Sequence, residues 1–201
     1  MHDQPAAACP RAARQTVRTV HTRVFAALLA LLAAFPGTAP GPASAAAAET
    51  GTMAAPEGRV ILEVSGALQQ GNGGAGEPTV ARFDAAMLDA LPQRETITAT
   101  PWHDGPQRFS GPLLAALLAT VGAEGTRLRV IAVNDYAAEL PVTEVLALPV
   151  ILASRHNGDR MSLRDKGPLF VIYPFDEVPG LLNETTLSRS VWQVRAIEIL
   201  P

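Results

Sequence analysis

Apolar and polar residues alternate in short runs along most of this chain, and glycine or proline bounds nearly every run, a spacing that predicts short strands. Residues 59–66 (RVILEVSG) are β-branched and lie between Gly58 and Gly66, which predicts a strand; residues 79–83 predict a second. Asp84 is placed to cap a helix over 85–91, stopped by Pro92. Residues 95–100 (ETITAT) alternate as a strand and end at Pro101. The clearest helix spans 111–121 (GPLLAALLATV). Pro112 stands in its first turn, Leu113, Leu114, Leu117 and Leu118 recur at helical spacing, and Gly122 ends it.

Further along, residues 127–133 predict a strand, with Asn134-Asp135 as a turn after it. Residues 143–148 predict a short helix. Residues 150–155 and 161–163 flank His156-Asn157-Gly158-Asp159, whose Asn-Gly pair is a strong hairpin signal. Residues 169–173, between Pro168 and Pro174, predict a buried strand, and residues 191–200 (VWQVRAIEIL) the last one. Residues 69–77 (QQGNGGAGE) carry four glycines and predict a loop rather than a core element. There are no internal repeats. Strands outnumber helices, so the expected class is α+β with β dominant.

The first part of the chain breaks this pattern. Arg11, Arg14, Arg18 and Arg23 precede a 12-residue apolar run from Val24 to Phe35, then Pro36, Gly37, Pro40 and Pro42, then Ala43-Ser44-Ala45. These are the three parts of a secretory signal, with a middle too short to span a bilayer permanently. The expected organisation is a signal over 1–45, a linker over 46–57 and a single domain over 58–201. The product is expected in the periplasm or secreted, with no stable membrane span after cleavage. No two of these arginines are adjacent, so nothing marks the twin-arginine route.

Composition changes the picture in three places. Hydrophobic residues make up 48% of the 201, enough for a buried core. From Ala46 onward there are 12 arginines and lysines against 18 aspartates and glutamates, a net charge of −6 that argues against nucleic acid or anionic lipid as partner. Cys9, the only cysteine, belongs to the signal, so the mature domain is expected to hold neither disulfide nor thiolate.

Five segments then occur in a recognisable order: 109–118 with Gly122; Asn134-Asp135-Tyr136 followed by 139–142; 150–153 with Asn157-Gly158 and Met161; 167–174; and 190–193 with Ile197. Together they resemble the oxidoreductase molybdopterin-binding domain of the sulfite-oxidase type, over residues 95–199. The resemblance implies that fold, in a short exported branch. For activity it implies a molybdopterin held beside one cysteine thiolate, just after the strand at 95–100, and a basic residue near Phe170. Here the first stretch reads Thr100-Pro101-Trp102-His103-Asp104-Gly105, without a cysteine. An indole or a proline ring cannot replace the soft anionic sulfur that molybdenum takes in such sites. The signal is also of the type that threads unfolded chains, whereas the pterin is assembled in the cytosol.

No cofactor is therefore expected, and catalysis is not the favoured reading. Ser-His-Asp chemistry lacks a G-x-S-x-G elbow; His103-Asp104 are neighbours in sequence and rarely converge on one metal. The expected function is a non-catalytic periplasmic module that binds a small anionic ligand or a protein. The alternatives are a molybdopterin-dependent oxidoreductase with an atypical site and a structural or docking protein. Candidate pocket residues are Trp102, His103, Asn134, Asp135, Tyr136, Arg164 and Lys166. The two cations beside backbone amides could hold a phosphate or carboxylate. Arg164-Asp165-Lys166 also reads as a solvated turn with a local ion pair, Asp135 as a turn residue bonding its own backbone, and His156 as a solvated hairpin tip.

Overall fold

The structure, a computed structural model, describes residues 53–74 and 80–201. The export segment expected over 1–45, and the first part of the expected linker, lie outside these residues. Among the described residues no helix is long and apolar enough to cross a membrane.

The elements in order are β1 (Leu62–Gly66), β2 (Val80–Phe83), α1 (Ala85–Asp89), β3 (Gln93–Ala99), β4 (Pro106–Pro112), α2 (Leu114–Val121), β5 (Arg127–Ala132), β6 (Ala137–Pro141), α3 (Val142–Ala147), β7 (Ile151–Ala153), β8 (Arg155–His156), β9 (Asp159–Arg160), β10 (Phe170–Ile172), α4 (Glu184–Arg189) and β11 (Val194–Leu200). One sheet has the order β2-β1-β11-β5-β6, a second β3-β4-β8-β9, and β7 pairs with β10. Only β1 and β11 run parallel; the other pairings are antiparallel. Strands that join distant parts of the chain thus hold the fold together, as the strand-rich pattern predicts.

The main core lies between the five-stranded sheet and α2. Alternate residues of β1, β5 and β11 point into it, among them Leu62, Val64, Leu128, Val130, Ile197 and Ile199. Helix α2 adds Leu114, Leu117, Leu118 and Val121, all buried, each contributing about 1.5–3 kcal/mol through the apolar area it removes from water. Gly122 ends the helix in the left-handed conformation expected of it, at φ 60°. Asp84 caps α1 by accepting the Met87 N–H at 2.9 Å. Those backbone bonds hold its carboxyl below the usual carboxylate range.

Two expectations fail here. The helix expected over 111–121 starts at Leu114, because Gly111 and Pro112 close strand β4. Gly111 lies so near β7 that a Cβ would press into the Leu152 carbonyl, so the glycine serves a close strand approach and not a helix start. Pro112, at the strand's end, has no N–H to lose. Met53, inside the expected linker, packs against the core and donates its N–H to Gly71 at 3.1 Å. Asn72 braces the same segment through Ala54 and pairs with β2 at Arg82.

A smaller cluster, Phe109, Ile151, Ala153, Met161, Phe170 and Ile172, is buried between β4 and the β7–β10 pair. It carries the aromatic residues on which the candidate site is built.

Candidate functional site

Strand β3 ends at Ala99, and residues 100–105 turn back into β4. The His103 N–H donates to the Thr100 carbonyl at 3.3 Å, and the Thr100 hydroxyl lies 2.8 Å from His103 Nδ1. This closure fixes the two aromatic residues of the loop against different neighbours. Trp102 tilts onto Phe170 at 5.6 Å between ring centroids and meets Trp192 edge-on at 5.3 Å. His103 meets Phe109 at 5.5 Å and His156 at 4.9 Å. Phe109 stacks on His156 at 4.9 Å and meets Phe170 edge-on at 6.0 Å. Offset and edge-on pairs of this kind are each worth about 0.5–1.5 kcal/mol beyond the area they bury.

Trp102 lines two depressions. The deeper is a cavity of about 280 Å³, walled by Trp102, Trp192, Tyr136, Leu187, Val191 and Ala132, with Asn134, Ser188 and Ser190 as its polar members. Helix α4 supplies Leu187 and Ser188, and it is held by polar contacts: Asn183 closes a capping box on it. Arg189 bonds the Glu144 carboxylate and the Glu139 carbonyl. The other Glu144 oxygen accepts the buried Tyr173 hydroxyl at 2.6 Å, and burial pushes that phenol's pKa up. The shallower depression is an open cleft lined by Pro101, Trp102, His103, Asp104 and Gln107.

The predicted turn at Asn134-Asp135 is present, with division of labour changed. Asn134, not Asp135, bonds the local backbone, accepting the Tyr136 N–H at 3.2 Å. Asp135 adopts φ 65° and pairs with Arg195 at 2.8 Å. Tyr136 donates its hydroxyl to the Ser188 carbonyl at 2.9 Å, tying this loop to α4 across the cavity.

Arg164 and Lys166 do not line the cavity. Arg164 is exposed on a single 3-10 turn, Leu163–Asp165, and no ion pair joins it to Asp165 among the described residues; Asp165 instead accepts the Ser162 hydroxyl at 2.6 Å. Lys166 follows in the left-handed conformation, with its carbonyl accepting the Gln193 N–H at 2.9 Å. Its ammonium reaches the field of both imidazoles. Burial lowers the pKa of His103, with Lys166 and then His156 adding to the effect; burial and then Lys166 lower that of His156, against Asp165. Both shifts favour the neutral rings. Among the described residues no group of three or more His, Cys, Asp or Glu side chains could share a metal.

His156 is not a hairpin tip. Asn157 and Gly158 form the tip, with φ 51° and 98°, and His156 sits in β8 opposite Phe109, its Nε2 3.0 Å from Gln107 Oε1. The Asn-Gly turn sets the register of β8 on β9, but the sequence pattern does not show β4 as the partner of β8. Trp192, Ser188 and Ser190 were missed as well. The alternation over residues 191–200 places Trp192 in the last strand, yet Gln193 at φ 53° interrupts the extended chain just before β11, and Trp192 is 37% exposed.

The residues at the positions that the resemblance implies for a molybdopterin are of other types. Trp102 fills the loop where the resemblance implies the metal's thiolate, and the chain's one cysteine, Cys9, precedes the domain by a long stretch of sequence. Phe170, in the place of the implied basic residue, is fully buried among rings. No cation lines the cavity to meet a pterin's phosphate.

Comparison with known proteins gives one level of answer. No family model matches the chain, and no curated protein matches it. Among solved structures, the sulfane dehydrogenase SoxCD from Paracoccus pantotrophus is similar at a TM-score of 0.50 and 20% identity, over 69% of this chain and 37% of that one. The chain thus spans well under half of the length of that relative. At this identity the likeness speaks for the fold alone, which is α+β, β-dominant and of the sulfite-oxidase type.

Proposed function

We propose that this chain is an exported, non-catalytic module that binds a small ligand against Trp102. One observation carries the reading. Where catalysis would need a thiolate, an indole is built into a ring cluster and forms a wall of a formed cavity. A fold retained while the metal's ligand set is missing is what a binding role leaves behind. The anionic version of the ligand draws on the other side of Trp102. There Lys166 supplies charge, and His103 and His156, shifted toward the neutral form, can accept or donate hydrogen bonds.

Thermal melts of the mature protein with inorganic phosphate and with succinate test this. A saturable rise in melting temperature, abolished by Arg164→Ala combined with Lys166→Ala, is expected; no rise with either removes the anionic version. A molybdopterin oxidoreductase with an atypical site is the competing reading, motivated by the fold likeness. Elemental analysis of protein from its native host separates the two, and stoichiometric molybdenum would overturn the proposal.

A further inference from the structure

We infer that the cavity between Trp102 and Trp192 is a separate subsite that takes a neutral, planar heteroaromatic ring. The inference rests on the module reading above but concerns a different set of residues from its cationic side. Its first support is shape and material. At about 280 Å³ the cavity lies just below the usual range of small-molecule sites, about 300–1,000 Å³, which limits the occupant to one or two fused rings. Its walls include two indoles and a phenol, and two of these, Trp192 and Tyr136, remain 37% and 48% exposed instead of completing the core. Apolar rings presented to solvent around a concavity are faces on which a flat ligand can stack.

The second support is charge. No ionisable acid or base other than the Tyr136 phenol lines the cavity. The nearest charged groups on the loop are already neutralised, Asp135 by Arg195 at 2.8 Å, while Arg195 also donates to the Ala132 carbonyl. An anion placed there would lose its hydration with no partner to replace it.

The third support is the state of the polar members. The hydroxyls of Tyr136, Ser188 and Ser190 are spent as donors on the carbonyls of Ser188, Thr185 and Thr186. Asn134 uses its oxygen on the Tyr136 N–H, and its amide N–H₂ has no partner among the described residues. This amide and the indole N–H groups of Trp102 and Trp192, which have no acceptor among the described residues, are neutral donors suited to an acceptor on the edge of a ring, a ring nitrogen or a carbonyl.

The chain contains only two tryptophans, and both wall this cavity, so intrinsic fluorescence reports on it directly. The experiment titrates the mature protein with three neutral ring probes (adenine, quinoline and nicotinamide), with benzoate as a charged ring and with inorganic phosphate as a charge without a ring. Saturable quenching by at least one neutral probe is expected, weakened about ten-fold or more in Trp192→Ala, where Trp102 remains as reporter. Leu187→Phe, which narrows the cavity and keeps both indoles, should weaken it similarly. Failure of all three neutral probes, or quenching indifferent to both substitutions, overturns the inference. Binding confined to benzoate or phosphate and dependent on Lys166 also overturns it, while leaving the module reading intact. Neutral-ring binding without any response to phosphate leaves the inference standing, and the phosphate and succinate melts then decide the anionic version. Silence from every probe overturns the inference, and the absence of any rise in the melts removes the anionic version separately.

Discussion

The five-stranded sheet and the aromatic face around Trp102 exclude water with different materials. The first is mainly aliphatic: β1, β5, β11 and α2 meet through leucine, valine, isoleucine and alanine, with Phe83, Tyr173 and Phe175 packed at the same core. The second concentrates a scarce resource, since aromatic residues are only 5% of the chain, yet Trp102, Phe109, Phe170 and Trp192 all meet here, with His156 stacked on Phe109 and His103 edge-on to it at the border. Leucine gains nothing from being half-exposed. An indole or imidazole can keep one edge wet while its face packs. The aliphatic region is built for stability, and the aromatic one leaves surface unspent.

That contrast can be broken by substitution, and the largest effect should come from the aliphatic side. Leu128→Ala is expected to cost about 2–5 kcal/mol in denaturant melts while the native tryptophan emission stays unchanged. An altered native emission would mean that the two regions are one mechanical unit. Next comes Glu144→Ala, which strands the buried Tyr173 hydroxyl and frees Arg189. A loss of about 1–3 kcal/mol is expected, with a change in tryptophan emission because α4 carries part of the cavity wall. Trp192→Ala removes two edge-on ring contacts, worth about 0.5–1.5 kcal/mol each beyond the area they bury, and should still cost less than Leu128→Ala because Trp192 is 37% exposed. A cost as large as that of Leu128→Ala would place Trp192 in the core and end its reading as a ligand wall.

The smallest effect is a pH dependence. His103 and His156 have folded-state pKa values below their ordinary 6.5, so the unfolded chain binds protons first as pH falls. Stability is complete above pH 6.5 and declines below it, until the folded-state values are reached. The carboxyls held low by their partners, Asp84 and Asp89, add their losses only further into acid, below about 3.8. Melting temperatures between pH 7.5 and 5 should therefore fall by a few degrees, and the fall should shrink in a His103→Gln, His156→Gln double variant. An unchanged slope in that variant would show that neither imidazole is held neutral.

How much of this could be read from the sequence depended on whether a residue's job was local. Asp84 as a cap, Gly122 as a helix stop and Asn157-Gly158 as a turn are settled by their immediate neighbours, and all three are found where expected. Strand β4 was hidden because its ends are Pro106 and Pro112, and Gly111 is required only by a β7 strand some forty residues away. Strand β6 (AAELP) has no alternation of its own and exists through pairing with β5. Helix α4 buries little beyond Thr186 and so shows no apolar stripe, although Asn183 and Thr186 spell its cap. In the site, Trp102, Asn134 and Tyr136 were legible and do line one cavity, while Trp192 depends on a left-handed residue that no pattern announces. Arg164 and Lys166 were chosen for their charge, and their position relative to the cavity is a tertiary fact that sequence adjacency does not carry.

Helix α4 has one further implication. It forms a wall of the cavity but is anchored elsewhere, through Arg189 to Glu144 and from Glu144 to Tyr173. Substitutions at Glu144 or Tyr173 would therefore reshape the cavity without touching any residue that lines it. The shape of the cavity can thus be altered from behind, by sequence drift at an ion pair, at a cost in stability set by the buried Tyr173 hydroxyl.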